Sequence, residues 1–343
     1  MNPREVLQEL VSIPGAPGKE ELVRKAVEAH AIKLGYETAV DGKGNLLAWT
    51  DGVTELPRVV VTAHLDEIAM IVRNVEPDGK LGVTALGGLF PWKTGEGLVT
   101  VLGREKSMPG VLSFGSIHTE DPRFFYRRPD HKGVTWESAW VQTYLSKEEL
   151  SRLGVRPGTR VVVHPDRRKL ATIGDHVAGY FLDDRADLVS MLLTMEAVKD
   201  QKLDVLFAAT TCEEVGGEGA LYLMQEIRPE ICIALELGPN VPDAPVEITS
   251  SPTVWVSDAY STPLSDDIDL IEKVGKGLGM NLQFQALSRG GSDASCSASH
   301  GHCARPFTLG LPMDNSHGYE VMHRDAMSEL ARLTAALLKQ IFA

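Results

Sequence analysis

Five apolar runs of the chain end in, or are closely followed by, a histidine, an aspartate or a glutamate. The runs have the composition of sheet strands, so the same kind of group recurs at strand ends. In an open α/β sheet, ligands bind in the crevice at the carboxyl ends of the strands, so separate strands can deliver these side chains to one place. The positions are His64 in VVVTAHLDE, Asp183 in GYFLDDRAD, Glu213-Glu214 in VLFAATTCEEVGG, Glu236 in ICIALELGP and His317 in LGLPMDNSHGYE.

These side chains offer nitrogen and oxygen ligands for metal ions. Two imidazoles and several carboxylates suit two divalent ions such as zinc, cobalt or manganese, with one carboxylate left to act as a base. The adjacent pair Glu213-Glu214 is the strongest indication, because like charges at a buried strand end repel and need a cation. Glu236 lies in an apolar strand, where an unpaired carboxylate costs roughly several kcal/mol. A metal or a buried Arg must compensate it.

The other positions have ordinary structural alternatives. His64 and Asp66 share one face of an extended strand, so the Asp66 carboxylate can accept the second imidazole N–H. A lone buried histidine is more often structural, and Asp66 makes the two roles about equally plausible. Asp183 and Asp184 open a helix, where capping is the commoner role for a carboxylate. The chain has neither a G-x-S-x-G elbow nor an H-E-x-x-H motif, so serine-hydrolase and single-zinc helical sites are unsupported.

The pattern of secondary-structure signals changes twice along the chain. With 343 residues, it exceeds what one hydrophobic core usually serves. Helices are expected at 3–12 and 19–34, and helices and strands mix again from 172 to a last helix near 323–341. Between about 68 and 171, short β-like runs alternate with Gly and Pro turns, which predicts a small barrel or sandwich. We therefore expect an α/β domain (1–67 and 172–343) interrupted by an inserted small all-β domain (68–171).

Charge and cysteine content exclude several classes of partner. The net charge is -13, and no dense basic run occurs beyond Arg167-Arg168-Lys169, which disfavours nucleic acid. The four cysteines have neither zinc-ribbon nor redox spacing, which is typical of free thiols in a reducing cytoplasm. No stretch approaches the ~20 apolar residues of a membrane span. We expect a cytoplasmic protein that binds neither nucleic acid nor a membrane.

Several motifs, taken in chain order, resemble the tetrahedral and glutamyl aminopeptidase family of co-catalytic metallopeptidases. They are HLDE, LDDR, TCEEVGGEGA, the acidic residue in IALEL, and the GSDAS and GLPMDNSH segments. The likeness covers nearly the whole chain, including the β insertion. It implies a phosphorylase/aminopeptidase-like mixed sheet flanked by helices, two divalent metal ions (Zn, Co or Mn) and removal of N-terminal residues from peptides.

The resemblance also implies a role for each ligand. His64 would bind one metal ion and His317 the other, with Asp183 bridging them. Glu214 would complete the His317 site, and Glu236 would complete the His64 site.

Two further residues would assist the ligands. By the same resemblance, Glu213 is the general base and Asp66 orients His64. The chain departs from the family in three places. The family often has Asp where Glu236 stands, Gly where Asp187 stands, and Arg-Tyr where Asp314-Asn315 precede the final histidine.

Three functional hypotheses follow. The first is a metallo-aminopeptidase that acts on peptides and self-associates through the β insertion, by resemblance into a dodecamer. The second is a related dinuclear-metal deacylase or dipeptidase, because amide hydrolysis at two metals does not specify the acyl partner. The third is a catalytically silent assembly protein of the same fold. For the insertion itself, the alternative to assembly is a lid that shields the substrate.

Overall fold

The computed structural model describes residues 1–121, 127 and 133–343. Its helices are α1 (Pro3–Ser12), α2 (Glu21–Lys33), α3 (Pro91–Thr94), α4 (Lys147–Arg152), α5 (Leu182–Val198), α6 (Glu218–Ile227), α7 (Ser265–Gly277), α8 (Asp293–Ser299) and α9 (Ala326–Ile341). Its strands are β1 (Glu37–Val40), β2 (Leu46–Trp49), β3 (Val59–His64), β4 (Ala69–Val75), β5 (Leu81–Leu86), β6 (Gly97–Val101), β7 (Met108–Ser113), β8 (Trp140–Gln142), β9 (Arg160–Val163), β10 (Ala171–Ile173), β11 (His176–Tyr180), β12 (Val205–Thr210), β13 (Ile231–Pro239), β14 (Thr253–Ser257), β15 (Gln283–Ala286), β16 (Arg305–Asp314) and β17 (Tyr319–His323).

A mixed sheet forms the centre of the α/β domain. Among the described residues it has eleven strands, in the main order β1-β2-β12-β3-β13-β16-β17-β11-β10. Strands β12, β3, β13 and β16 are parallel. Strand β11 runs in the same direction, because β11 and β16 are both antiparallel to β17. The carboxyl ends of these five strands therefore lie along one edge, as the sequence pattern requires.

Helices cover the sheet and complete its core. Every residue of β3 and β12 is buried, which is typical of parallel strands with helices on both faces. Helix α5 packs against β3, β13, α1 and α9. Helix α1 turns one apolar face to this core, where Leu7 and Leu10 are fully buried. Each such leucine contributes about 1.5–3 kcal/mol relative to an exposed one. No helix of the described residues is both long and apolar enough to cross a membrane.

The inserted β region forms a closed barrel with its own core. The strand order is β4-β5-β8-β7-β6-β9, and β9 closes the ring by pairing with β4. Buried side chains alternate along these strands, as Met70 and Val72 do in β4, and they form a hydrophobic cluster separate from that of the sheet. The barrel strands end at Val163, whereas β10 already pairs with β11 of the central sheet.

A buried ion cluster connects the two ends of the barrel to the sheet domain. Glu67 precedes β4, Arg168 follows β9, and Arg185 lies in α5; all three are completely buried. The Glu67 carboxylate accepts hydrogen bonds from Arg168 Nη1 and Arg185 Nη2, both at 2.9 Å. Arg168 also lies over the Phe181 ring, 4.4 Å from its centroid. The junction is therefore held by charges rather than by apolar packing alone.

Two elements near the site add detail to the expected mixture of helices and strands after residue 172. Helix α8 occupies the Ser-rich segment after Gly291, where Ser292 and Ser295 form a capping box that compensates for weak helix propensity. Strand β17 ends at His323, so the last helix begins three residues later, at Ala326, rather than near 323. A five-residue strand that contains a glutamate is too short and too polar for an apolar pattern to reveal.

Candidate active site

The predicted site residues gather at the strand-end edge of the sheet. His64 is the last residue of β3, and Glu213 and Glu214 occupy the turn after β12. Asp183 lies in the first turn of α5, just past β11, and His317 lies in the loop between β16 and β17.

Glu236 is the exception, because it lies inside β13 rather than at its end. Its side chain is buried, and Glu236 Oε1 accepts a hydrogen bond from the Leu237 N–H at 2.8 Å.

Among the residues that the structure describes, the side chains that could hold a metal ion form two groups, and in each group one ligand atom per residue lies within 4.8 Å of the others. The groups are His64, Asp183, Asp184 and Glu236, and Asp183, Glu214 and His317. Asp183 belongs to both. Its Oδ1 lies 3.2 Å from His64 Nε2, and its Oδ2 lies 3.5 Å from His317 Nε2. The two carboxylate oxygens of Asp183 thus face different histidines.

Glu213 lies beside these groups but belongs to neither. Its Oε2 is 4.0 Å from His64 Nε2, and its side chain is only 13% exposed. Its neighbour Glu214 turns toward the second group, with Oε2 at 3.6 Å from His317 Nε2. The adjacent glutamates therefore occupy different positions, one among the candidate ligands and one outside both groups.

Asp66 holds the turn that carries the two glutamates. Its Oδ1 and Oδ2 accept the backbone N–H groups of Glu213, at 2.9 Å, and of Glu214, at 3.1 Å. The contact with His64 differs from the sequence expectation. The acceptor nearest to His64 Nδ1 is the backbone carbonyl of Asp66, at 3.1 Å, while the carboxylate lies at 3.6 Å. The Asp66 carboxylate is mainly directed at the glutamate turn, because two N–H groups converge on it there.

Two more buried carboxylates hold the backbone of the candidate ligands. Asp184 Oδ2 accepts the His64 N–H at 2.6 Å. Glu320 accepts the N–H of Asp183 with Oε2, at 3.1 Å, and the N–H of His317 with Oε1, at 2.9 Å. Glu320 therefore connects the backbones of two members of the second group.

Burial and mutual charge shift the proton affinity of the cluster. Burial raises the pKa of Glu214 to about 7, and burial followed by the charge of Glu214 raises the pKa of Glu213 well above its ordinary value. The Glu214 carboxylate raises the pKa of His317 to about 9. Without a cation, the cluster thus retains protons near neutral pH. A metal ion that binds there must release them.

The site opens into a cavity of about 520 Å³. One wall is apolar and includes Trp255, Tyr260 and Leu287, while the base carries the candidate ligands. Arg289 is the single Lys or Arg among the described residues that line the cavity, and it is exposed. The volume is within the range of cavities that bind small molecules. A cavity of this size can accept the end of a peptide chain beside the metal-ligand groups.

Comparison with known proteins identifies the family. The profile of the M42 glutamyl aminopeptidase family matches residues 44–333. The chain belongs to this family. It is therefore a peptide hydrolase of the aminopeptidase class.

Individual relatives match between two thirds and nearly all of this M42 chain. It is 26% identical to the lysyl aminopeptidase of Pyrococcus furiosus over 351 residues, which is 98% of this chain and 97% of the relative. It is 25% identical to the glutamyl aminopeptidase of Lactococcus lactis over 67% of this chain and 65% of the relative. The TET1 peptidase of Pyrococcus horikoshii, which assembles into a tetrahedron or an octahedral shell, has a TM-score of 0.85 at 24% identity. The structural match covers 98% of this chain and 99% of the TET1 chain.

Two residues of the candidate site are absent from the ligand set that the sequence predicts. The position of Asp184 at the start of a helix predicts a cap, although it lies in the first ligand group. Glu320 lies on the same side of β17 as Met322, and both are buried. Because its strand is short and polar, the sequence carries no apolar pattern that would have identified Glu320.

One departure from the family pattern, Glu236, belongs to the first ligand group, and the other three residues lie outside both groups. Asp187 is completely buried. Burial, and then the charge of Asp183, raise its pKa to about 7. Asp314 accepts a hydrogen bond from Asn240 Nδ2 at 2.9 Å. Asn315 has a φ of 61°, in the left-handed region that asparagine tolerates better than most residues.

Proposed function

We propose that this protein is a metal-dependent aminopeptidase that removes N-terminal residues from peptides at a centre of two divalent ions (zinc, cobalt or manganese). The observation that carries the proposal is the position of Asp183, whose two oxygens face two separate histidines and which belongs to both ligand groups. A carboxylate shared in this way is suited to bridge two cations.

The donor set fits two such ions. His64 and Glu236 would hold one ion, and His317 and Glu214 the other, with Asp183 between them. The nitrogen and carboxylate oxygen donors match what zinc, cobalt and manganese accept in proteins. The surplus of buried carboxylates supports the assignment, because it is unfavourable without cations. When bound, the ions supply a water of lowered pKa and polarise the scissile carbonyl.

Glu213 would act as the general base. Its carboxylate would take the proton of the attacking water and deliver it to the leaving amine. Two features support this role: Glu213 belongs to neither ligand group, and its Oε2 lies 4.0 Å from His64 Nε2, beside the candidate ligands. Asp66 would hold Glu213 through the backbone hydrogen bond, and so keep the base beside the ligands without binding a metal itself.

The adjacent glutamates provide the sharpest test. Glu213→Gln keeps the shape of the side chain but removes its basicity, so we expect both metals to remain and turnover to fall roughly 10² to 10⁴-fold. Glu214→Gln should weaken one metal site, and added metal should partly restore activity. Metal content by elemental analysis and hydrolysis of leucyl, glutamyl and lysyl p-nitroanilides measure the two effects. Glu226→Gln, an exposed change on α6, is the matched control.

The outcomes separate the alternatives. Loss of metal in Glu213→Gln together with an inactive but metal-replete Glu214→Gln would exchange the two roles. Full activity after verified removal of all metal would refute the proposal. Hydrolysis of an N-acetylated peptide in preference to the free-amino form would favour the deacylase, and cleavage restricted to dipeptides the dipeptidase. Purified protein with no metal and no hydrolysis would favour the silent assembly protein.

The domain division and assembly belong to the same proposal. Residues 1–67 and 172–343 would form the catalytic domain, and the insertion 68–171 would serve self-association and substrate access. Support comes from exposed apolar side chains on the insertion, among them Phe90, Trp92 and Tyr144. We propose a dodecamer in the cytoplasm, with no nucleic-acid or membrane partner. Light scattering that reports a monomer at micromolar concentration would rule the assembly out, and would leave a substrate-shielding lid as the role of the insertion.

A further inference from the structure

The barrel touches the second ligand group directly. After β5 the chain passes through Gly87 and Gly88, and the Gly88 carbonyl accepts a hydrogen bond from His317 Nδ1 at 2.8 Å. A Cβ at Gly88 would lie 2.8 Å from that nitrogen, and one at Gly87 would lie 3.3 Å from the Glu214 Cβ. Gly87 also has a φ of +92°, which favours glycine. The two glycines thus let the barrel backbone approach two candidate ligands of the same group.

Lys93 of α3 holds the loop that carries His317. Its Nζ donates hydrogen bonds to the carbonyls of Asn315, at 3.3 Å, and Ser316, at 3.0 Å. Asn315 and His317 both have a φ of 61°, so this loop has an unfavourable backbone conformation that its surroundings must maintain. Lys93 also fills the space beside Gly318, where a Cβ would lie 2.9 Å from the lysine Cδ.

The hydrogen bond to Gly88 determines which nitrogen of His317 is free. A carbonyl only accepts, so Nδ1 carries the proton and Nε2 remains available as a ligand atom. His317 Nε2 is the atom that faces Asp183 and Glu214, at 3.5 and 3.6 Å. The first group is positioned differently, because its His64 backbone is held by Asp184 in α5.

We propose that the barrel loop 87–93 is a positioning element of the metal centre, in which the Gly88 carbonyl orients His317 and Lys93 fixes the loop around it, so that the barrel selectively supports the second metal site. Lys93 is a positioning residue, because it acts through the carbonyls next to His317. The inference rests on the proposed metal centre. It adds that this centre is complete only when the inserted barrel is docked against the sheet domain.

The test uses the full-length protein and three lysine variants. Lys93→Met removes the donor while keeping most of the side-chain volume, and Lys93→Arg keeps a donor. Lys80→Met is the control, because this lysine is in the same barrel and its Nζ contacts exposed Asp78. Each metal-free protein is titrated with Zn²⁺ against a chromophoric chelator to obtain both dissociation constants. Visible absorption of the Co²⁺ form reports the ligands around each ion.

We expect wild type, Lys93→Arg and Lys80→Met to bind two Zn²⁺ ions. In Lys93→Met, one of the two Zn²⁺ dissociation constants should stay unchanged, because the first group does not contact Lys93. The other should weaken about 10 to 100-fold, which is the usual loss when a residue that orients a ligand is removed. In the Co²⁺ form, the visible absorption of one of the two ions should change. Gly88→Ala, checked for folding by circular dichroism, should show the same selective loss, because the new methyl group displaces the His317 ring.

Two results would overturn the inference while leaving the proposed function intact. The first is a Lys93→Met protein with both constants and its spectrum unchanged. The second is equal weakening of both sites, which would indicate a general loosening rather than support of His317. A wild type that binds no Zn²⁺ would instead refute the proposed function itself.

Discussion

The buried ion cluster at the barrel junction makes a quantitative stability prediction. Glu67→Gln removes a carboxylate that accepts hydrogen bonds from both Arg168 and Arg185. All three side chains are completely buried, so the two guanidinium groups would lose the carboxylate that they share at a place closed to bulk solvent. Breaking a buried ion pair costs about 3–5 kcal/mol. That cost corresponds to a roughly 10² to 10⁴-fold fall in the folding equilibrium constant.

Equilibrium unfolding in urea, followed by tryptophan fluorescence and circular dichroism, measures this loss. The matched control is Asp175→Asn, which breaks an exposed pair with Arg324 in which the side chains are 63% and 55% exposed. Exposed pairs contribute only about 0–1 kcal/mol, so the control should scarcely move the urea midpoint. If Glu67→Gln costs no more than the control, the argument that buried charges hold the barrel against the sheet is refuted.

Three other predictions concern the site and the surface. Glu320→Gln should weaken metal binding about 10 to 100-fold, because an amide cannot accept both the Asp183 and His317 N–H groups; a competition titration equal to that of Glu329→Gln would contradict this. Apparent Zn²⁺ affinity should rise with pH between 6 and 9, because Glu214 (pKa about 7) and His317 (pKa about 9) must lose protons to bind metal; a pH-independent affinity would disprove it. The hydrogen bond from Arg58, and then the one from Arg305, lowers the pKa of Glu230. The ion pair therefore stabilises the fold fully above the ordinary pKa of a glutamate, and this stabilisation is lost as the pH falls through the lowered pKa. Glu230→Gln should therefore cost less than about 1 kcal/mol at pH 7 and nothing in acid, since this carboxylate is 40% exposed; an undiminished cost in acid would be inconsistent with the pairing.

The sequence predicted the α/β layer because strand signals are local. A run such as VVVTAH identifies itself by its apolar residues, and β3 spans 59–64 as expected. The recurrence of His, Asp and Glu at strand ends indicated which side chains would meet, because parallel strands share one edge. The short Gly- and Pro-separated runs of the insertion likewise predicted a small barrel or sandwich, and the structure has the barrel.

The sequence was least informative about carboxylates that do not touch the cavity. Nothing in HLDE distinguishes an Asp66 that orients His64 from one that holds the Glu213-Glu214 turn, because both partners lie within reach of the same strand end. Glu67 in the same motif carries no sign of its role as partner of two arginines. Such roles depend on which atoms are closest in space, and several acceptable partners exist for every acidic residue.

By itself, the sequence determined the layers of the fold, the edge of the sheet where the site lies and the residue types that gather there. Only the tertiary structure decided which carboxylates face the cavity and which hold the backbone behind it. Glu320 reaches Asp183 across 137 residues, and Lys93 reaches Ser316 across 223. The physical reason is that strand periodicity depends on neighbouring residues, whereas the partner of a buried charge depends on how distant segments pack.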